Sequence, residues 1–256
     1  MSRLYALYKR EVQAYFAYLP TYAIIGSFLA IVGLLYYLAF SWFWEMRGHA
    51  PQYAALSGEL DLGSTVISTT FRAMGVVSLF TLPLLTMRLW AAEQRQGTLE
   101  LLLSFPLRNT DIVLGKFLAS LTVYAVLLLL TLLYPFLTAA SGPLALGPVL
   151  AGYVGTLLLG AALLALGLLC CTWTANQPVA CILAWAIVLG LWLIGQAANF
   201  VGGKLGILLG HLSLAKHYSN FVKGRIETQD MAYFGLFTLS CLLLTWYGVA
   251  ATRRQG

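Results

Sequence analysis

Apolar residues along this chain fall into six long runs, each about as long as an α-helix that crosses a bilayer. Such a helix needs about 20 mostly apolar residues. The only charges inside the runs are Arg72 and Arg88, both toward the ends of the second run. The predicted spans are approximately residues 22–44, 65–90, 117–140, 149–173, 179–200 and 231–252. We therefore predict an all-α polytopic membrane protein, in which residues 1–256 form a single transmembrane domain.

Residues 1–20 differ from these runs because charged and apolar positions alternate. Lys9, Arg10 and Glu11 lie there among leucine, valine and aromatic residues. This mixture is typical of an amphipathic helix that lies in the membrane interface. Pro20 then permits a change of direction before the first span.

Two connections are too long to be simple turns. In the first, residues 92–116, Gly97 and Pro106 bound a short amphipathic stretch, so we predict a helix over residues 98–105. In the second, residues 201–230, glycines recur at the small-xxx-small spacing that lets helices approach closely. This second segment contains too few apolar residues to span twice, which favours a re-entrant or surface-lying piece.

Charge indicates the orientation and excludes one class of partner. Only 9% of residues are charged and 60% are apolar, whereas a soluble domain carries about a quarter charged residues. The net charge of +6 is scattered among loops and forms no face that would bind nucleic acid. Loop Lys and Arg residues are more numerous on the side of the N-terminus, so we predict that both termini are cytoplasmic.

The chain lacks the motifs of an energy-converting or catalytic site. It has no G-x-x-x-x-G-K-[ST], no H-E-x-x-H and no G-x-S-x-G. We therefore predict no catalytic, cofactor or metal site. The four cysteines lie in apolar runs, where we expect buried thiols: Cys170, Cys171, Cys181 and Cys241.

Ion-coupled transport is also disfavoured, because the spans contain no Asp, Glu or His at membrane depth. The energy for any transport would then come from another subunit. Arg72 has two interpretations: its side chain snorkels to the outer interface, or it contacts an anionic substrate or a partner chain.

A weak S-x-x-K match leaves one enzymatic alternative open. Ser213 and Lys216, with His211 and His217, would be the residues of an intramembrane enzyme. The companion motifs of that chemistry are missing. We expect all three histidines, including His49, to be solvated in outer segments.

The first connection resembles the corresponding segment of the permease subunits of type-2 ABC exporters, closest to the gliding-motility-type permeases. Their pattern is an acidic–basic pair, then G-T-L-E-L-L-L, a proline, and G-K-F at the start of the next helix. The matching residues are Glu93, Arg95, Gly97, Thr98, Leu99, Glu100, Leu101, Leu102, Leu103, Pro106, Gly115, Lys116 and Phe117. A second match, to the outer segment and last span, comprises Phe221, Gly224, Asp230 and Tyr233. One departure is Ala92, which stands where an acidic residue often precedes Glu93.

This resemblance implies a multi-pass protein of the bacterial inner membrane that pairs with a second permease copy or a related permease. Two separate ABC ATPase subunits would hold ATP and magnesium and dock on the cytoplasmic side. The implied ATPase-coupling residues are Glu93, Arg95, Gly97, Thr98, Leu99, Glu100, Leu101, Pro106 and Lys116. The implied contacts of the N-terminal helix are Lys9, Arg10 and Glu11.

Two questions stay open in the sequence. The chain could move a solute, or it could anchor an ATPase-driven envelope complex without transport, in which case an additional subunit with an outer domain is expected. The spans are rich in Leu, Ala and Gly, which suits lipid contact, helix packing and a hydrophobic conduit equally.

Overall fold

The structure, a computed structural model, describes residues 3–48, 62–95, 108–142, 144–174, 176–201 and 203–255. All regular structure in these residues is helical. The helices are α1 (Arg3–Phe16), α2 (Leu19–Gly48), α3 (Leu62–Arg95), α4 (Asn109–Leu130), α5 (Leu133–Ser141), α6 (Leu146–Trp173), α7 (Gln177–Val201), α8 (Gly203–Leu212), α9 (Leu214–Val222) and α10 (Thr228–Gln255).

The prediction of six spans is confirmed. The stretches long and apolar enough to cross a bilayer are Leu19–Met46, Thr65–Met87, Asn109–Ser141, Leu146–Trp173, Gln177–Ala197 and Thr228–Ala251. Each overlaps one predicted span, and the third consists of α4 and α5 together. Pro20 lies in the first turn of α2. Proline is favoured there because the N–H groups of the first turn have no acceptor within the helix.

The third span is interrupted between Leu130 and Leu133, for a local chemical reason. Pro135 has no N–H group to donate to the carbonyl of Thr131, and its ring displaces that carbonyl. The Thr131 hydroxyl donates to the carbonyl of Leu128 at 2.6 Å, a contact that bends helices. The two halves of this span are therefore separate helices.

Helix α6 is the centre of the bundle. In its most apolar stretch 78% of residues are buried, against 22% in the corresponding stretches of α2, α7 and α10. It packs against α3, α4, α7, α9 and α10. The more exposed helices carry large apolar side chains on their outer faces, as expected of helices that contact lipid.

Four glycines on α6 make this close packing possible, since each faces a side chain of a neighbouring helix. A Cβ atom at any of them would overlap that side chain. The pairs are Gly152 with Phe71, Gly155 with Phe221, Gly160 with Tyr124, and Gly167 with Thr86. Small residues allow helix backbones to approach closely. The resulting contacts hold the helices together in lipid, where the hydrophobic effect does not drive helix association.

Two buried tyrosines that pack near these glycines also join four helices through hydrogen bonds. Tyr124 donates to the carbonyl of Thr156 at 3.1 Å. Tyr218 donates to the carbonyl of Phe71 at 2.6 Å, and its hydroxyl lies 3.0 Å from that of Thr156. Hydroxyl groups at this depth need partners inside the protein, so the tyrosines fix α3, α4, α6 and α9 in one arrangement.

The second long connection, residues 201–230, contains the two short helices α8 and α9. Helix α8 packs mainly on α7 and exposes leucines. Helix α9 enters the bundle, where it contacts α3, α6, α7 and α10. Helix α8 thus lies at the surface of the bundle, and α9 is inserted among the spans.

We predict that Gly160→Ala destabilises the protein by about 1–3 kcal/mol, because the added methyl group overlaps the buried ring of Tyr124. The measurement is the melting temperature of the detergent-purified protein. Gly26→Ala is the matched control, since nothing lies within 4 Å of a Cβ atom at this position on α2. Equal effects of the two substitutions would show that the α6 contacts do not matter for stability.

Candidate coupling face

The residues singled out for coupling lie at one end of the bundle, as far as the structure describes them. Glu93 and Arg95 belong to the last turns of α3, and Lys116 belongs to the third turn of α4. The segment from Gly97 to Pro106, with the predicted helix over residues 98–105, lies outside the described residues.

The N-terminal helix α1 packs along the first half of α4. The Leu7 side chain lies against Gly115, where a Cβ atom would meet the Leu7 Cδ2 atom at 3.0 Å. Farther along, the hydroxyl groups of Tyr8 and Thr122 are 2.9 Å apart. These contacts hold α1 on the helix that directly follows the predicted coupling segment.

A third contact connects α1 to the end of the preceding span. The Tyr15 hydroxyl donates to the carbonyl of Leu85 in α3 at 3.2 Å, and the Tyr15 side chain is 2% exposed. Helix α1 therefore bridges the two helices that bracket the predicted coupling segment.

Glu11 and Lys116 form a buried ion pair between α1 and α4. The Lys116 Nζ atom lies 3.6 Å from the Glu11 Oε1 atom. Lys116 is fully buried and Glu11 is 5% exposed. A buried charge is costly unless it is paired, so this pair favours the arrangement in which α1 lies on α4.

Glu11 also has a partner on the solvent side. The Arg10 Nη2 atom lies 2.7 Å from the same Glu11 oxygen. Lys9 and Arg10 are exposed, whereas Glu11 shares the inner face of α1 with Leu7 and Tyr15. Of the N-terminal contacts implied by the resemblance, Lys9 and Arg10 are thus accessible to a partner protein. Glu11 is instead paired with Lys116 inside the bundle.

The far end of the bundle holds a second buried polar cluster, around His217. Its Nδ1 atom lies 2.6 Å from Asp230 Oδ1, and its Nε2 atom donates to the carbonyl of His211 at 3.1 Å. Asn220 donates to the other Asp230 oxygen at 2.9 Å. The ring of Tyr233 stacks on that of His217 with centroids 4.1 Å apart. These contacts tie α9 to the start of the last span.

The expectation of solvated histidines is therefore wrong for His217, which is 5% exposed. Helix α9 enters the bundle, and the sequence of a segment with several polar residues does not reveal that. His211 is exposed. The spacing from His217 to Asp230 is not a helical repeat, so no local pattern points to their contact.

Two residues of the enzymatic alternative, Ser213 and His217, have structural roles. Ser213 caps α9, where its hydroxyl oxygen accepts a hydrogen bond from the backbone N–H of Lys216 at 3.3 Å. The S-x-x-K match is thus a helix N-cap. Both ring nitrogens of His217 are engaged, so neither is free to take a proton from Ser213. The four cysteines are buried free thiols, as predicted.

We predict that Glu11→Gln destabilises the protein by about 1–3 kcal/mol, because it weakens the charge balance around the buried Lys116 ammonium group. The double variant Glu11→Gln/Lys116→Met should be less destabilised than the sum of the two single variants. Melting temperatures of the four proteins give this comparison. Glu45→Gln, at an exposed position on α2, controls for loss of a carboxylate. Strictly additive effects would contradict a direct interaction of the pair.

A second prediction concerns the far end. Asp230→Ala removes the acceptor of both His217 and Asn220, so we expect a loss of about 3 kcal/mol or more. Glu227→Ala, at an exposed position just before α10, should change stability by about 0.5 kcal/mol or less. Comparable losses in the two variants would mean that the cluster contributes nothing specific.

The family described as ABC-2 family transporter protein matches residues 19–224, which is most of the chain. No curated protein sequence gives a significant match. The family match covers the spans from α2 to α7 with the outer helices α8 and α9. The chain belongs to the ABC-2 family of membrane transporter proteins.

Proposed function

We propose that this chain is the permease subunit of an ATP-driven exporter of the gliding-motility type. We further propose that separate ATPase subunits bind and move the end of the bundle formed by α1, α3 and α4. In this proposal two permease copies, or this chain and a related permease, form the path. The ATPase subunits hold ATP and magnesium, and both termini of the chain lie on their side of the bacterial inner membrane.

The absence of a nucleotide-binding motif in the sequence supports a separate energy source. The chain has no P-loop, which is the loop that cradles nucleotide phosphates. Membership of the ABC-2 family implies association with ABC ATPase subunits. Lys9 and Arg10 are exposed on α1, and in this proposal they offer positive charge to the ATPase.

One observation carries the proposal: the buried Glu11–Lys116 pair fastens α1 to the start of α4. Lys116 ends the predicted coupling segment, ten residues after Pro106, which bounds its predicted helix. A displacement of that segment would therefore move the start of α4, and α1 would move with it. Rigid helices and buried polar contacts are the means by which such displacements travel through a protein.

Helix α4 also has a connection through which the displacement would reach the centre of the bundle. Tyr124, two turns beyond Lys116, donates a hydrogen bond to α6 and packs on Gly160. The break at Thr131 follows, so α5 need not tilt together with α4. In this proposal the ATPase subunits move α1 and the start of α4 as one unit, Tyr124 passes the movement to α6, and the outer half of the third span stays with its neighbours.

We predict that Glu100→Lys and Glu93→Lys each release the ATPase or abolish the ATP hydrolysis that the permease stimulates, because each reverses a charge in the docking segment. Copurification of the ATPase and its activity in proteoliposomes measure the two effects. Glu227→Lys makes the same change at an exposed position near the opposite end, and it should leave both unchanged. Full ATPase binding and activity in the Glu93 and Glu100 variants would disprove the docking assignment.

A further inference from the structure

A cleft of about 590 Å³ lies between α2 and α3, in the half of the bundle away from α1. It is lined by apolar side chains, by two threonines, and by Trp42 and Arg72. Clefts of this volume are in the range that holds small ligands. Both helices expose apolar side chains beside it, so a molecule in the bilayer could enter from the side.

The lining is polar at one end and apolar at the other. Helices α2 and α3 are consecutive spans, and their lining residues run in opposite order. Trp42 and Thr65 therefore lie toward the membrane surface opposite α1, Arg72 and Leu35 each lie seven residues deeper, and Val76 lies nearest the membrane centre. The Arg72 side chain leans back toward that surface, since side chains on a helix tilt toward its N-terminus. A lipid in the leaflet on that side has the same polarity, with its headgroup at the surface and its chains at the centre.

Arg72 is the charged group of this cleft. Its side chain is exposed, and it makes no hydrogen bond or ion pair within the part of the chain that the structure describes. It follows Thr65, the start of the span, by seven residues, which is about 10 Å along a helix. An arginine at such a depth is costly unless it is paired or hydrated, and an anion would provide that pairing.

Trp42 supplies a second donor for an anion. Its indole N–H has no acceptor among the described residues, and its ring is 49% exposed. The hydroxyl of Thr69, by contrast, donates to the carbonyl of Thr65 at 2.8 Å and is already used. The donors at the polar end thus include a guanidinium group and an indole N–H, which together suit the oxygens of a phosphate group.

We propose that this cleft binds an anionic phospholipid from the leaflet opposite α1, with its phosphate at Arg72 and Trp42 and an acyl chain along Leu35 and Val76. The apolar floor favours a lipid over free phosphate, and the arginine favours an anionic lipid over a zwitterionic one. This inference goes beyond the proposed function and does not depend on it, since lipid binding requires no ATPase.

The test is a titration of the detergent-purified full chain with dioleoyl phosphatidylglycerol, followed by native mass spectrometry. We expect Arg72→Gln to weaken binding about tenfold or more, because it removes a charge-assisted contact. Arg72→Lys should retain most of the affinity. Arg225→Gln removes a positive charge at another exposed position and should have no effect. Dioleoyl phosphatidylcholine should bind more weakly, and glycerol 3-phosphate should not bind.

A second pair of variants tests the apolar part of the cleft without a change in charge. Ala39→Leu fills the cleft and should weaken binding of phosphatidylglycerol, whereas Ala30→Leu adds the same group on an exposed part of α2 and should not. Melting temperatures confirm that all variants are folded.

Three results would overturn the site. They are equal losses from Arg72→Gln and Arg225→Gln, equal affinity for the two lipids, or binding of glycerol 3-phosphate as tight as that of the lipid. Any of them would leave the coupling proposal intact, and failure of the ATPase to copurify would leave the lipid site intact.

Discussion

The rest of the structure depends on the close approach of four neighbouring side chains to the glycines of α6. Lipid removes the hydrophobic effect as a force between helices, so contact area and internal hydrogen bonds must hold them together. Gly155 and Gly160 admit the rings of Phe221 and Tyr124 almost to the α6 backbone. Together with the tyrosine hydrogen bonds, these contacts hold α3, α4, α6 and α9 in one arrangement.

Polar groups in this bundle are concentrated where helices must be held in one position. The Glu11–Lys116 pair holds α1 on α4 at one end. The contacts of His217 with Asp230 hold α9 on α10 at the other end. Between them the buried tyrosine hydroxyls connect the central helices. The Glu11–Lys116 pair and the His217–Asp230 contact thus stabilise the packing of α1 and α9, the helices that do not span the membrane completely.

Much of the fold could be predicted from the sequence, since a run of about 20 apolar residues has one stable form in a bilayer. The six spans and the amphipathic N-terminal helix follow from this rule. Pro135 marks the region of the break at Thr131, but a proline alone does not predict it, since Pro83 lies inside the unbroken α3.

The tertiary contacts of the candidate sites were harder to predict. Glu11 lies on the same helix face as Leu7 and Tyr15, which was a signal that it points inward, but nothing local identifies Lys116 as its partner. The insertion of α9, and with it the burial of His217, depends on contacts with distant spans. The pairing of α2 with α3 that forms the cleft at Arg72 is likewise a tertiary feature, and periodicity along one helix does not contain it.

The central claim is that α1 and the start of α4 move as one unit when the ATPase subunits act. A disulfide between Leu7→Cys and Gly115→Cys tests it directly, because a Cβ atom at position 115 would lie 3.6 Å from that of Leu7, as in natural disulfides. The measurement is the ATP hydrolysis of the permease–ATPase complex before and after oxidation. The account predicts the same stimulated rate in both states. A rate that falls on oxidation and recovers on reduction would show that α1 must separate from α4, which contradicts the account.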